Sequence, residues 1–104
     1  MAEAEKGRLP MPVVAELATL EPLRGCVALQ TLDLSDNQLT GGLEPLRGCV
    51  ALQTLELRIN QLTGGLEPLR GCVALQTLWL SGNQLTPSEA DQAHFEEKVA
   101  IFSI

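Results

Sequence analysis

The chain has 104 residues, enough for one domain, and 45% of them are apolar although only 3% are aromatic. Its formal charge of −6 excludes the clustered Lys and Arg on which non-specific nucleic-acid binding and attachment to anionic membranes depend. No apolar run approaches the ~18 residues of a membrane span. The charged start MAEAEKGRLP lacks the apolar block of a secretory signal, so the expected location is cytoplasmic.

Residues 1–19 come first. Counting back one repeat length from Leu32 and Leu34 lands on Leu9 and Met11. RLPMP therefore reads as a worn capping strand whose prolines blunt an exposed edge. The alternative is that residues 1–12 are a disordered tail. VVAELATL reads as a short amphipathic helix through Val13, Leu17 and Leu20.

Residues 20–88 hold one unit of 23 residues three times over, at 20–42, 43–65 and 66–88. Each copy opens with LEPLRGCVALQTL, and such self-similarity is the mark of a stacked array. In LQTLDLS, Leu32 and Leu34 alternate with Thr31, Asp33 and Ser35, a period of two that predicts a short strand with one buried face. Equivalent strands are expected to pair in parallel ~4.8 Å apart. LEPLRGC, with its Pro and Gly, supplies the compact crossover that a parallel ladder requires. Leu29, Leu39, Leu43 and Leu46 are expected to point inward from the rest of the coil.

Three further columns recur at the same spacing. Cys26, Cys49 and Cys72 lack the close pairing of metal ligands and are expected as a column of buried free thiols. Glu21, Glu44 and Glu67 stand three residues before Arg24, Arg47 and Arg70, a solvated face of balanced charge. Asn37, Asn60 and Asn83 turn the chain after each strand.

Residues 89–104 are expected to form a capping helix over the third repeat. Thr86 is its expected N-cap, Pro87 its first residue and Glu89 the partner in a capping box. Phe95, Val99 and Phe102 recur at helical spacing. His94, without a Ser or Cys nucleophile constellation around it, is expected in a surface or boundary role.

The segments LQTLDLSDNQL, LQTLELRINQL and LQTLWLSGNQL fit the pattern L-x-x-L-x-L-x-x-N-x-L at every fixed position. On these residues the chain resembles the leucine-rich repeat family across 20–88. LTGG and LDLSDN are similar to the plant-type subclass, which carries Ile-Pro and 24 residues where this chain has Leu-Glu-Pro and 23. The resemblance implies an α/β-type repeat fold, a short leucine-rich repeat solenoid with a parallel β-sheet on its concave face and a C-terminal helical cap. It also implies that the Asn column bonds the backbone of neighbouring coils.

The copies differ where function would be displayed. Asp33/Glu56/Trp79, Ser35/Arg58/Ser81 and Asp36/Ile59/Gly82 change from copy to copy, while the leucines between them do not. The expected partner-binding residues are Thr31, Asp33, Ser35, Asp36, Thr54, Glu56, Arg58, Ile59, Thr77, Trp79 and Ser81. Trp and Arg are enriched among interface hot spots, and the acidic members favour a partner with basic groups. Trp79 has a rival reading, packing against the C-terminal cap.

Three short strands present on the order of 200–300 Å², against ~800 Å² per partner in a standard interface. A peptide or a weak protein contact suits that size. Near-identical coils also leave room for self-association. No nucleophile–base pair, phosphate loop or paired metal ligands occur, so no enzyme activity, metal or cofactor is expected. The expected function is a non-enzymatic protein- or peptide-binding module. The alternative is a structural fragment or consensus-designed scaffold with no dedicated ligand.

Overall fold

The structure, a computed structural model, describes residues 18–104. The expected strand RLPMP and most of the helix expected from VVAELATL lie outside those residues; Ala18, Thr19 and Leu20 form a bend. Eight elements follow: β1 (Thr31–Asp33), β2 (Thr40–Gly41), β3 (Thr54–Glu56), β4 (Gln61–Gly64), β5 (Thr77–Trp79), β6 (Gln84–Leu85), α1 (Glu89–Lys98) and β7 (Ile101–Ser103). A single 3₁₀ turn occupies Glu-Pro-Leu in each repeat, at Glu21–Leu23, Glu44–Leu46 and Glu67–Leu69.

The strands form two open parallel sheets. One has the order β1-β3-β5-β7 and the other β2-β4-β6. In the larger sheet the constant spacing becomes register: Thr31, Thr54, Thr77 and Ile101 align, as do Leu32, Leu55, Leu78 and Phe102. The smaller ladder continues one unit back, because the Thr40 N–H donates to the Ala18 carbonyl at 2.8 Å.

Between the sheets and the 3₁₀ turns lies the core, built almost wholly from leucine columns. Leu32, Leu55 and Leu78 are fully buried, and Leu34, Leu57 and Leu80 nearly so. Each buried leucine removes apolar area worth roughly 1.5–3 kcal/mol, which is how three aromatic residues suffice for a chain this long.

The C-terminal segment departs from expectation. Instead of a capping helix over 89–104, a helix ends at Lys98 and a fourth strand of the main sheet follows. Val99-x-x-Phe102-x-Ile104 carries the apolar spacing of Leu75-x-x-Leu78-x-Leu80, and β7 pairs with β5 accordingly. Residues 99 and 102 are three apart in both readings, so helical spacing alone did not separate them. β-branched Val99 and Ile101 favour the strand.

The helix start also moves. Thr86 still lies in the smaller ladder, its N–H donating to the Gly64 carbonyl at 2.8 Å, and α1 starts only at Glu89, so Thr86 stands two residues too early to cap it. Ser88 does so, its hydroxyl accepting from the Asp91 N–H at 3.0 Å.

Candidate binding face

Because side chains alternate across a strand, burying the leucines turns the variable letters to the other side of the main sheet. Asp33, Glu56, Trp79 and Ser103 align in one row, and Thr31, Thr54 and Thr77 in the next. The column after the strands, Ser35/Arg58/Ser81, stays in the ladder: the Asp36 N–H bonds the Arg58 carbonyl at 2.8 Å and the Ile59 N–H the Ser81 carbonyl at 2.9 Å.

Three of the expected residues meet. The Arg58 guanidinium lies 4.2 Å from the centre of the Trp79 ring. It also donates to a Glu56 carboxylate oxygen at 3.3 Å. A cation over an indole is worth about 0.5–2 kcal/mol depending on its exposure, so the pair holds Arg58 across the middle of the face. Trp79 thus lies against Arg58, and its register partner in β7 is Ser103. Two polar atoms of this column, Ser35 Oγ and Arg58 Nε, are shielded from solvent yet have no hydrogen-bond partner. Asp33 accepts from the Ser35 N–H at 3.2 Å.

The third variable column carries a constraint that the sequence did not reveal. Asp36, Ile59 and Gly82 all have a positive φ, at 62°, 59° and 78°. Asp and Gly tolerate the left-handed region, but a β-branched residue there is strained. Ile59 is nevertheless 58% exposed, so packing does not repay that strain. Gly82 is doubly fixed, since a Cβ there would stand 3.0 Å from the Ile59 nitrogen.

Behind the face, the asparagine column joins the coils. Asn60 is buried; its Oδ1 accepts from the Leu39 N–H, and its Nδ2 donates to the Leu34 and Leu57 carbonyls, each at 3.0 Å. Asn83 repeats the pattern one unit on, with Leu62, Leu57 and Leu80. These bonds satisfy backbone groups that the turn would otherwise strand.

The cysteines do a related job. The Cys49 thiol points at the Leu23 carbonyl at 3.9 Å and the Cys72 thiol at the Leu46 carbonyl at 3.6 Å, each in the preceding coil. Burial, with a lesser contribution from Cys49, pushes the Cys72 thiol up to about 11, so it stays protonated at neutral pH. Cys26 is only half-buried. Among the described residues, no group of His, Cys, Asp and Glu is arranged to hold a metal ion, and no helix is long and apolar enough to cross a membrane.

The charged columns pair within and between coils. Arg24 binds Glu21, and Arg47 bridges Glu44 and Glu67. Arg70 instead reaches α1 and binds Asp91 at 2.8 Å. The repeat pattern does not connect those two residues, because Asp91 lies outside it.

Asparagine ladder, leucine columns and parallel register together match a single family. A family model described as Leucine Rich repeats (2 copies) fits residues 27–63 and 50–90, more than half of the chain. The chain belongs to the leucine-rich repeat family. Repeats of this kind generally mediate protein–protein interaction. No curated protein matches the chain in a direct comparison.

Proposed function

We propose that this leucine-rich repeat protein is a non-enzymatic binding module for a peptide or protein, acting through the outward side of the main sheet as the concave face of a short solenoid. The observation that carries the reading is the fixed cluster Glu56–Arg58–Trp79. Arg58 is held on both sides while 41% of its side chain stays open, and its Nε lacks a partner. A side chain already ordered loses less entropy when it is bound. Its neighbours Asp33, Asp36, Ile59 and Ser81 surround it with acidic, apolar and small groups, and β7 adds a fourth rung, bringing the face to ~14 Å across. An extended peptide fits that span better than a globular surface does. Its basic groups would meet Asp33, Asp36 and Glu56, and a carbonyl or carboxylate would meet Arg58.

Panning a display library of random peptides tests this. The wild type is set against a protein carrying E56A, R58A and W79A, with folding matched by circular dichroism. Peptides that contain Lys or Arg and are lost by the variant support the reading. If the same peptides bind both proteins equally, or none is enriched, the outward face is not the site.

A second reading, self-association, is favoured by β7 itself. VAIFSI contains no charge and no proline, the features by which natural edge strands resist pairing. Its Ile101 and Ile104 are 49% and 42% exposed. Pairing of β7 with β7 of a second copy would give a dimer dissociated by Phe102→Lys or Ser103→Pro; analytical ultracentrifugation showing only monomer at high concentration would sink that reading.

A further inference from the structure

The last turn of α1 and the crossover of the third repeat enclose a cavity of about 290 Å³. Its origin is a mismatch between units. In the repeats, each R-G-C-V-A-L stretch is followed by an identical stretch in the next coil. The fourth unit puts the end of α1 there instead, and Gly71–Leu75 loses its matching cover. The exposures record the change. Val27 and Val50 are 59% and 51% exposed, whereas Val73 is 86% exposed.

Buried apolar groups make the floor: Cys72, Leu75, Phe95 and Val99. Around it stand Val73 and three basic side chains, Arg70, His94 and Lys98, with no carboxylate among the lining residues. Arg70 is engaged by Asp91, which is not among the residues lining the cavity. Lys98 is different. Among the described residues it is the one Lys or Arg without an ion pair, in a chain of net charge −6. The end of α1 contributes roughly half a negative charge, which the full charge of Lys98 exceeds. The volume sits near the lower end of the ~300–1,000 Å³ typical of small-molecule sites, enough for one ring or a short branched chain.

We infer that this cavity binds a small carboxylate with an apolar body, the anion paired with Lys98 and the body resting on Leu75, Phe95 and Val99. A free organic acid and the C-terminus of a peptide ending in Leu or Phe both present that chemistry. The site is separate from the outward face of the sheet, and its test is separate as well.

Proton–nitrogen NMR titration of the full chain decides it, with four probes: phenylbutyrate, its neutral amide, a short acetylated peptide ending in a free Leu carboxylate, and the same peptide amidated. The expected result is saturable shifts at the Val73, Phe95, Lys98 and Val99 amides for one or both acids. The matching amide should bind at least about tenfold more weakly. Lys98→Met should weaken the acid by about as much, and Val73→Asp should abolish binding by placing a like charge on the rim. Both positions are exposed, so neither change threatens the fold. The E56A/R58A/W79A protein should bind the acid unchanged. Response to phenylbutyrate alone assigns the site to free acids, and response to the peptide alone assigns it to C-termini. Equal binding of acid and amide, shifts confined to Glu56, Arg58 and Trp79, or no saturation by about 10 mM of either acid overturns the inference.

Discussion

The second repeat and the C-terminal unit carry equivalent strands, β3 and β7, joined to their neighbours in different ways. The second repeat, residues 43–65, is tied to the first by groups that recur in every copy. Asn60 bonds Leu34 and Leu39, the Cys49 thiol points at Leu23, and Leu55 packs in line with Leu32. The C-terminal unit has neither that Asn nor that Cys. It is held by single placements instead: Phe95 at 2% exposure, the Phe95–Phe102 ring pair at 6.0 Å, and the Arg70–Asp91 ion pair. Copying a unit copies both halves of its interface, so each repeat satisfies the next without new sequence. The end of an array has no next copy, and residues that occur once must finish it.

Asn60→Ala should cost most. It leaves the buried Leu39 N–H without a partner, at roughly 1–3 kcal/mol, and takes one donor each from the Leu34 and Leu57 carbonyls, which still accept from Asn37 and Asn83. A total loss of about 2–3 kcal/mol is expected in urea unfolding. Because the interior unit contacts both neighbours, the transition should stay single. A loss below about 1 kcal/mol would mean that the asparagine ladder follows from the fold and does not hold it.

Asp91→Asn should cost less and act locally. Burial pushes the Asp91 carboxyl upward. The Arg70 guanidinium, by hydrogen bond and by charge, outweighs that with help from the Leu66 N–H and Ser88, and the group ends below the usual Asp range. A carboxylate lowered in the folded state contributes stability that is fully present above its unfolded value of ~3.9. That contribution fades as pH falls through the lower folded value. Asp91→Asn is expected to lose about 1–2 kcal/mol at pH 6, with amide exchange rising in α1 and β7 but not in β3. The gap to the wild type should shrink as the pH drops below ~4. A gap that is constant with pH would assign the effect to packing.

Most of the main sheet was legible in the sequence because its register is arithmetic. Residues 23 apart must align if the coils are identical, and Thr31, Thr54 and Thr77 do. That Arg58 and Trp79 share one face was legible too, but their contact was not. The last unit was not. Phe95, Val99 and Phe102 satisfy a helix by spacing, and only the continuation to Ile104 in the phase of Leu75, Leu78 and Leu80 marks the strand. Ser88 as N-cap was hidden because Thr86 fits the capping rule equally well until the smaller sheet holds its backbone and delays the helix to Glu89. The positive φ at Ile59 depends on ladder bonds to Ser81 from a different coil, which no local pattern announces.

Ile59 gives the smallest effect and the one of opposite sign. A non-glycine residue in the left-handed region costs about 1–3 kcal/mol, and 58% exposure means that truncating Ile59 forfeits little burial. Asn tolerates that backbone without the extra chain entropy of Gly. Ile59→Asn is therefore expected to raise stability by about 1 kcal/mol, seen as a higher urea midpoint. In the second repeat, where every other interface group is a copy, this residue opposes the fold it sits in. Such strain persists where a side chain is kept for contact. If Ile59→Asn stabilises the protein and also weakens selected peptides, the strain belongs to binding. If it stabilises and leaves them unaffected, Ile59 is drift, and the working part of the face narrows to Glu56, Arg58 and Trp79. If stability does not rise, the left-handed turn at residue 59 carries no strain to recover.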